Sequence, residues 1–166
     1  MIVERIDKII IGISVAVMGF MLFGIAVTAK DADAEIPEEY VKYCEEAGQA
    51  YSICPELLMA IMESESSGNP KAQNGNCKGL MQINVNYHKI RMERLGVSDI
   101  YDARGNILLA ADYLAELFRD HGDIGTVLML YNGSKNALDR GREANYTEYA
   151  QKIMQRSEQL ERIHKK

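Results

Sequence analysis

The stretch Leu57–Asn84, LLMAIMESESSGNPKAQNGNCKGLMQIN, runs from an apolar helix ending in carboxylates, through a polar Gly/Asn-rich loop, to the short apolar segment GLMQIN. Leu58, Ile61 and Glu65 follow one another at steps of three and four, so Glu65 continues the stripe that should face a core. Glu56, Ala60 and Glu63 fall on another face, where a charge can stay in water. A carboxylate at the end of an apolar stripe loses hydration. Its pKa rises and the protonated acid is favoured, as a general acid near neutral pH requires. The same spacing suits a glutamate that merely ends a helix at the surface, and spacing alone leaves both readings open.

Outward from this stretch, helical signals dominate. Glu38–Ala50 carries Tyr40, Tyr43, Ala47 and Ala50 at steps of three and four. Cys54-Pro55 interrupts it, and proline suits the first turn of the next helix. That helix runs to about Ser66 and is stopped by Ser67-Gly68-Asn69-Pro70. Gln73–Lys78 reads as loop, and Val85–Leu95 as a helix closed by Gly96. Ala103–His121 is the longest clear helix of the domain, burying Ile107, Ala110, Ala111, Leu114, Leu117 and Phe118, with Gly122 as its C-cap. Ile124–Tyr131 is a short apolar helix stopped by Asn132-Gly133. Tyr146–Ile163 closes the chain with Tyr149, Ala150, Ile153, Met154, Ser157 and Leu160 in one stripe. No segment alternates at period two. The expected fold class is mostly α, with residues 35–166 forming one domain of six or so helices.

Ahead of that domain, Ile9–Ala29 is an uncharged run of 21 residues, long enough to span a bilayer as a helix. It exceeds the usual apolar region of a signal peptide, although Ala32-Asp33-Ala34 has the small-x-small form of a cleavage site. Residues 1–34 are therefore read as a signal-anchor, with secretion after cleavage near Ala34 as the alternative. Arg5 and Lys8 precede the run, which points to an inside N-terminus and an exported C-terminal domain at the cell membrane. Net charge is −5 with the positive residues scattered, so nucleic acid is not expected as a partner. The charged tail Arg156–Lys166 reads as a solvated helix end. Nine tyrosines and no tryptophan offer apolar rings with polar tips, useful in a groove for a polar polymer such as a glycan. His88, His121 and His164 are isolated in sequence, so neither a metal nor a cofactor is expected. Cys44, Cys54 and Cys77 are an odd number for an exported domain. A Cys54–Cys77 disulfide, closing a loop around Glu65, is the pairing expected if one forms.

Several short motifs then line up in order. They are Glu65-Ser66 followed by Pro70 and Ala72, Gly79-Leu80-Met81-Gln82-Ile83, Asn106-Ile107 with Tyr113-Leu114, Tyr131-Asn132-Gly133, and finally Tyr149. Together, over roughly Pro55–Met154, they resemble the lytic transglycosylase domain of the soluble lytic transglycosylase type, in the lysozyme-like superfamily. In that family the catalytic glutamate is followed by serine, with proline five residues on. Only Glu65 meets this, through Ser66 and Pro70; Glu63-Ser64 does not.

The resemblance implies a lysozyme-like helical domain acting on peptidoglycan glycan strands. Glu65 would be the single acid/base, protonating the glycosidic oxygen between N-acetylmuramic acid and N-acetylglucosamine, with the muramic O6 closing a 1,6-anhydro ring. Ser66 would orient the site, Gly79 would admit a sugar close to the backbone, and Met81 and Gln82 would line the groove. Tyr131 and Asn132 would flank the cleft, and Tyr149 would hydrogen-bond the carboxyl. Asn106 reads as a structural residue. The chain departs from the family at Met129-Leu130, where small residues are usual, and at Asn76-Cys77, where Gly-Ala is usual. A hydrolytic muramidase on the same fold and a weakly catalytic wall-opening module of a secretion or conjugation apparatus are the competing readings. No protein partner is identified.

Overall fold

The computed structural model describes residues 36–134, 137–138 and 146–164. Among the described residues, six helices order as α1 (Glu38–Tyr51), α2 (Pro55–Ser66), α3 (Lys89–Leu95), α4 (Ala103–His121), α5 (Ile124–Tyr131) and α6 (Glu148–His164). Between α2 and α3 lies a small antiparallel sheet of β1 (Gln73–Asn74), β2 (Cys77–Lys78) and β3 (Ile83–Asn84), in the order β1-β2-β3. The run at 9–29 and the cleavage motif at 32–34 lie outside the described residues. Among the described residues no helix is long and apolar enough to cross a membrane.

Helix α2 is the centre. Cys54 occupies its N-cap position with Pro55 in the first turn, and Ser67 ends it in the left-handed region at φ 52°. Leu57, Leu58, Met59, Ala60, Ile61 and Met62 are all buried in succession, which only a helix covered on every side permits. The covering elements are α1 and α6, with α4 also touching it. Ala60, expected on a water-facing side, is 2% exposed, because neighbours close over that face too. Each fully buried Leu, Ile or Met contributes about 1.5–3 kcal/mol, so this helix anchors the carboxylates at its C-terminal end to the most stable part of the molecule.

Helices α4 and α5 start where aspartate side chains satisfy free backbone N–H groups. Asp102 accepts from the Gly105 N–H at 2.7 Å to open α4, and Asp123 accepts from the Thr126 N–H at 2.7 Å to open α5. Asp123 also accepts from the Tyr146 hydroxyl at 2.6 Å, tying the approach to α6 onto the start of α5.

Gln73–Lys78 is a hairpin rather than a loop. Gln73 pairs with Lys78 and Asn74 with Cys77 across the two-residue turn Gly75-Asn76, where Gly75 takes φ 58°. Strands two residues long are too short to show alternation, so only the turn chemistry could have announced them. Helix α3 starts at Lys89, four residues later than its apolar spacing suggests, because Val85, Tyr87 and His88 fold back on Asn76 and Asn84 as turns.

All three cysteines are free thiols, which corrects the expected Cys54–Cys77 bridge. Cys54 lies at the start of α2, whereas Cys77 lies in β2, beyond its end and close enough to sense the Glu65 charge. A 12-residue helix is about 18 Å long, and a disulfide tolerates Cα separations only to about 7 Å.

Candidate active site

Glu65 sits in the last turn of α2, half-buried, where the helix places the negative end of its dipole. Burial pushes its carboxyl above the ordinary carboxylate range, and a hydrogen bond from Tyr149 partly offsets this. The Tyr149 hydroxyl donates to Glu65 Oε1 at 2.5 Å from the first turn of α6. The phenol in turn is held strongly protonated by its own burial and by the glutamate charge. The same two causes raise Tyr131 well above a normal tyrosine and raise Cys77 above a normal thiol. Residues from α2, β2, α5 and α6, spread over 85 positions of sequence, thus converge on one carboxyl group. Such a group can give a proton to a leaving oxygen and take one back, the requirement for acid/base chemistry.

The GLMQ turn is built around Asn106, which is fully buried in the first turn of α4. Its Oδ1 accepts from the Met81 N–H at 2.7 Å, while its Nδ2 donates to the carbonyls of Lys78 at 3.0 Å and Ile100 at 2.9 Å. Gly79, at φ 80°, is what lets the amide in, since a Cβ there would stand 2.4 Å from Asn106 Nδ2. The missing side chain makes room for Asn106. Met81 is fully buried as core, yet its backbone joins the site: its carbonyl accepts from the Tyr131 hydroxyl at 2.8 Å. Gln82 takes φ 48°, rare for a residue with a side chain, and its Nε2 closes the turn by donating to the Gly79 carbonyl at 3.0 Å.

Two further expected site residues sit at helix ends. Ser66 Oγ donates to the Met62 carbonyl at 3.2 Å, back along its own helix. Asn132 is exposed at the C-cap of α5. Of the other carboxylates, Asp102 caps α4 and Glu93 is exposed on α3.

Behind Tyr131 stands a polar support that the sequence did not disclose. The rings of Tyr131 and Tyr113 lie 5.7 Å apart and those of Tyr113 and His88 4.5 Å apart, with the Arg91 guanidinium 5.0 Å from the Tyr113 ring. Arg91 reaches Asp112 at 2.6 Å and also pairs with Glu116 and with His88 Nδ1. Burial and the Arg91 charge hold His88 below its ordinary pKa, which keeps it neutral. The signals were there at i, i+3 and i+4 spacing (His88 to Arg91, Asp112 to Glu116), but their partner lay on another helix.

Glu63, two residues from Glu65, is also not simply solvated. Arg156 of α6 grips it with two hydrogen bonds, Nε to Oε2 at 2.6 Å and Nη2 to Oε1 at 2.8 Å. His164 meets Glu56 at 3.0 Å, so the described part of the charged tail lies along α2 instead of pointing away. Among the described residues no cluster of His, Cys, Asp and Glu is arranged to hold a metal ion. A separate concavity of about 660 Å³, between α1 and the 95–105 segment, shares none of its lining residues with the surroundings of Glu65.

Residues 42–154 match the sequence family described as Transglycosylase SLT domain. A transglycosylase of Enterobacteria phage PRD1 is 34% identical over 109 residues, which cover 65% of this chain and 39% of the phage protein. The X-ray structure of an inactive mutant of lytic transglycosylase Slt from Pseudomonas aeruginosa matches with a TM-score of 0.63 and 18% identity, over 76% of this chain and 25% of that one. At that identity the likeness is one of fold. The chain therefore spans less than half the length of either relative.

Proposed function

The chain belongs to the transglycosylase SLT domain family, and from that premise we propose that it is a peptidoglycan lytic transglycosylase with Glu65 as its sole acid/base. The observation that carries this reading is the half-buried Glu65 carboxyl, raised in pKa by burial and held by the Tyr149 hydroxyl at 2.5 Å. A protonated Glu65 donates to the oxygen between N-acetylmuramic acid and N-acetylglucosamine. As that bond breaks, positive charge develops at the muramic C1. The muramic O6 attacks C1 and gives its proton to the Glu65 carboxylate, which restores the acid and leaves a 1,6-anhydro end. Tyr149 keeps the carboxyl oriented through both proton transfers. Tyr131, bound to the Met81 carbonyl, fixes the GLMQ turn as one wall of the groove. Gln82, and Asn132 at the exposed end of α5, are the proposed sugar contacts, and Ser66 supports the helix end beneath them.

The run at 9–29 is proposed to hold this domain at the cell membrane, on its outer side. N-terminal sequencing of the exported protein tests that, since a start just after Ala34 would mean secretion.

Mass spectrometry of murein digested by the full chain tests the reaction. Anhydro-muramic ends are expected. Reducing ends would make the protein a hydrolytic muramidase, and equal clearance by parent and Glu65→Gln would make it a wall-opening module whose chemistry lies elsewhere.

A further inference from the structure

Helices α2 and α6 run antiparallel along a shared seam. Tyr149 meets Glu65 at one end, and His164 meets Glu56 at the other. The apolar filling of the seam on the α6 side is Ala150, Ile153 and Leu160, all buried. Apolar contacts of this kind hold two helices together without fixing how far one slides or turns against the other, since they are non-directional. The Tyr149 bond to the acid needs that register; Tyr149 stands in the first turn of α6, whose approach is tied by Tyr146 and Asp123, and that tie runs to α5, not to α2.

Single-point contacts, from Tyr149 and His164 at the ends and from the Cys54 thiol to Glu161, fix distance more than direction; between them lies a two-point one. The planar guanidinium of Arg156 meets both oxygens of Glu63 at 2.6 and 2.8 Å, and the two side chains are only 28% and 25% exposed. A two-point fork fixes direction as well as distance. Arg156 lies seven residues, or two turns, after Tyr149, on the same face of α6. Glu63 lies two residues before Glu65 on α2. The clamp and the catalytic contact therefore join the same pair of helices within about 10 Å along α6.

We propose that the Glu63–Arg156 ion pair is a positioning device for the acid: it sets the register of α6 on α2 that places the Tyr149 hydroxyl on Glu65. Neither residue touches the reacting atoms. A partly exposed pair of this kind adds little to stability, so its contribution is to orientation. The proposal rests on Glu65 being the acid. The titratable groups facing Glu65 are Tyr149 from α6, Tyr131 from α5 and Cys77 from β2. Of these, Tyr149 alone is carried by the helix that Arg156 grips.

The test is a set of variants of the full chain assayed for murein solubilisation across pH, with kcat and KM separated. Arg156→Ala is expected to lower kcat about tenfold while KM stays within about twofold. Tyr149 donation favours the carboxylate, so its loss moves the basic limb of the profile to higher pH. Arg156→Ala and Tyr149→Phe are expected to move that limb in the same direction. The double variant is expected to be no slower than Tyr149→Phe alone, because the two act through one contact. Arg156→Lys, a point charge without the fork, recovers only part of the rate. Glu63→Gln opens the ion pair with an isosteric amide, so the same limb shift is read even if Arg156→Ala fails to fold. An unchanged limb in Glu63→Gln and Arg156→Ala, or losses that multiply in the double variant, would overturn the proposal. Full activity in Glu65→Gln would instead overturn the reading of the acid itself.

Discussion

Two glutamates two residues apart on α2 meet opposite surroundings. Glu65 faces a phenol, a half-buried second tyrosine and a thiol, none of them a cation. Glu63 faces a guanidinium that takes both its oxygens. One carboxyl is thus left free to hold a proton, and both oxygens of the other are taken up by a guanidinium. The residue type is the same and so is the helix. A rotation of about 200° between positions two apart decides which neighbours each one meets.

Replacing each carboxyl by its amide should separate the two most sharply. Glu65→Gln removes the proton donor and is expected to cost about 100- to 10,000-fold in murein solubilisation, with an unchanged circular dichroism spectrum. The same change should raise thermal stability at neutral pH. A carboxyl whose folded pKa is raised contributes stability that is present at low pH and lost as pH rises through the folded value. Melting curves of parent and Glu65→Gln should therefore nearly coincide in acid and diverge, with the variant higher, above that pH. Asn106→Ala tests the GLMQ turn: it strands the Met81 N–H and two carbonyls, and a loss of about 2–4 kcal/mol by denaturant melting is expected. Tyr149→Phe removes one hydrogen bond and is expected to cost about tenfold in kcat. Glu63→Gln is the smallest, with activity down about three- to fivefold through loss of its clamp and stability within about 1 kcal/mol of the parent.

The same contrast marks what could be read from sequence. Helices α4 and α5 were legible to the residue, because a full apolar stripe, an aspartate cap and a terminal glycine or asparagine agree at each. Glu65 was marked twice, by its place on the stripe and by Ser66 and Pro70. Glu63 was misread as water-facing because Arg156 lies 93 residues away, and no local pattern reports a partner at that distance. The tail containing Arg156 was misread for the same reason. The missing Cβ of Gly79 was legible as a close approach, but its neighbour Asn106 was not, since Asn106 comes from α4. The hairpin at Gln73–Lys78 escaped because its strands are shorter than the period that reveals strands.

The proposed catalysis depends on Glu65 holding a proton where an ordinary carboxylate would not. Carbon-13 NMR of the side-chain carboxyls, with Glu65 assigned by its disappearance in Glu65→Gln, measures this directly. The Glu65 signal is expected to titrate above the ordinary glutamate value, and to move higher still in Tyr149→Phe. A Glu65 signal that titrates at or below the ordinary value would contradict the assignment of Glu65 as the buried acid.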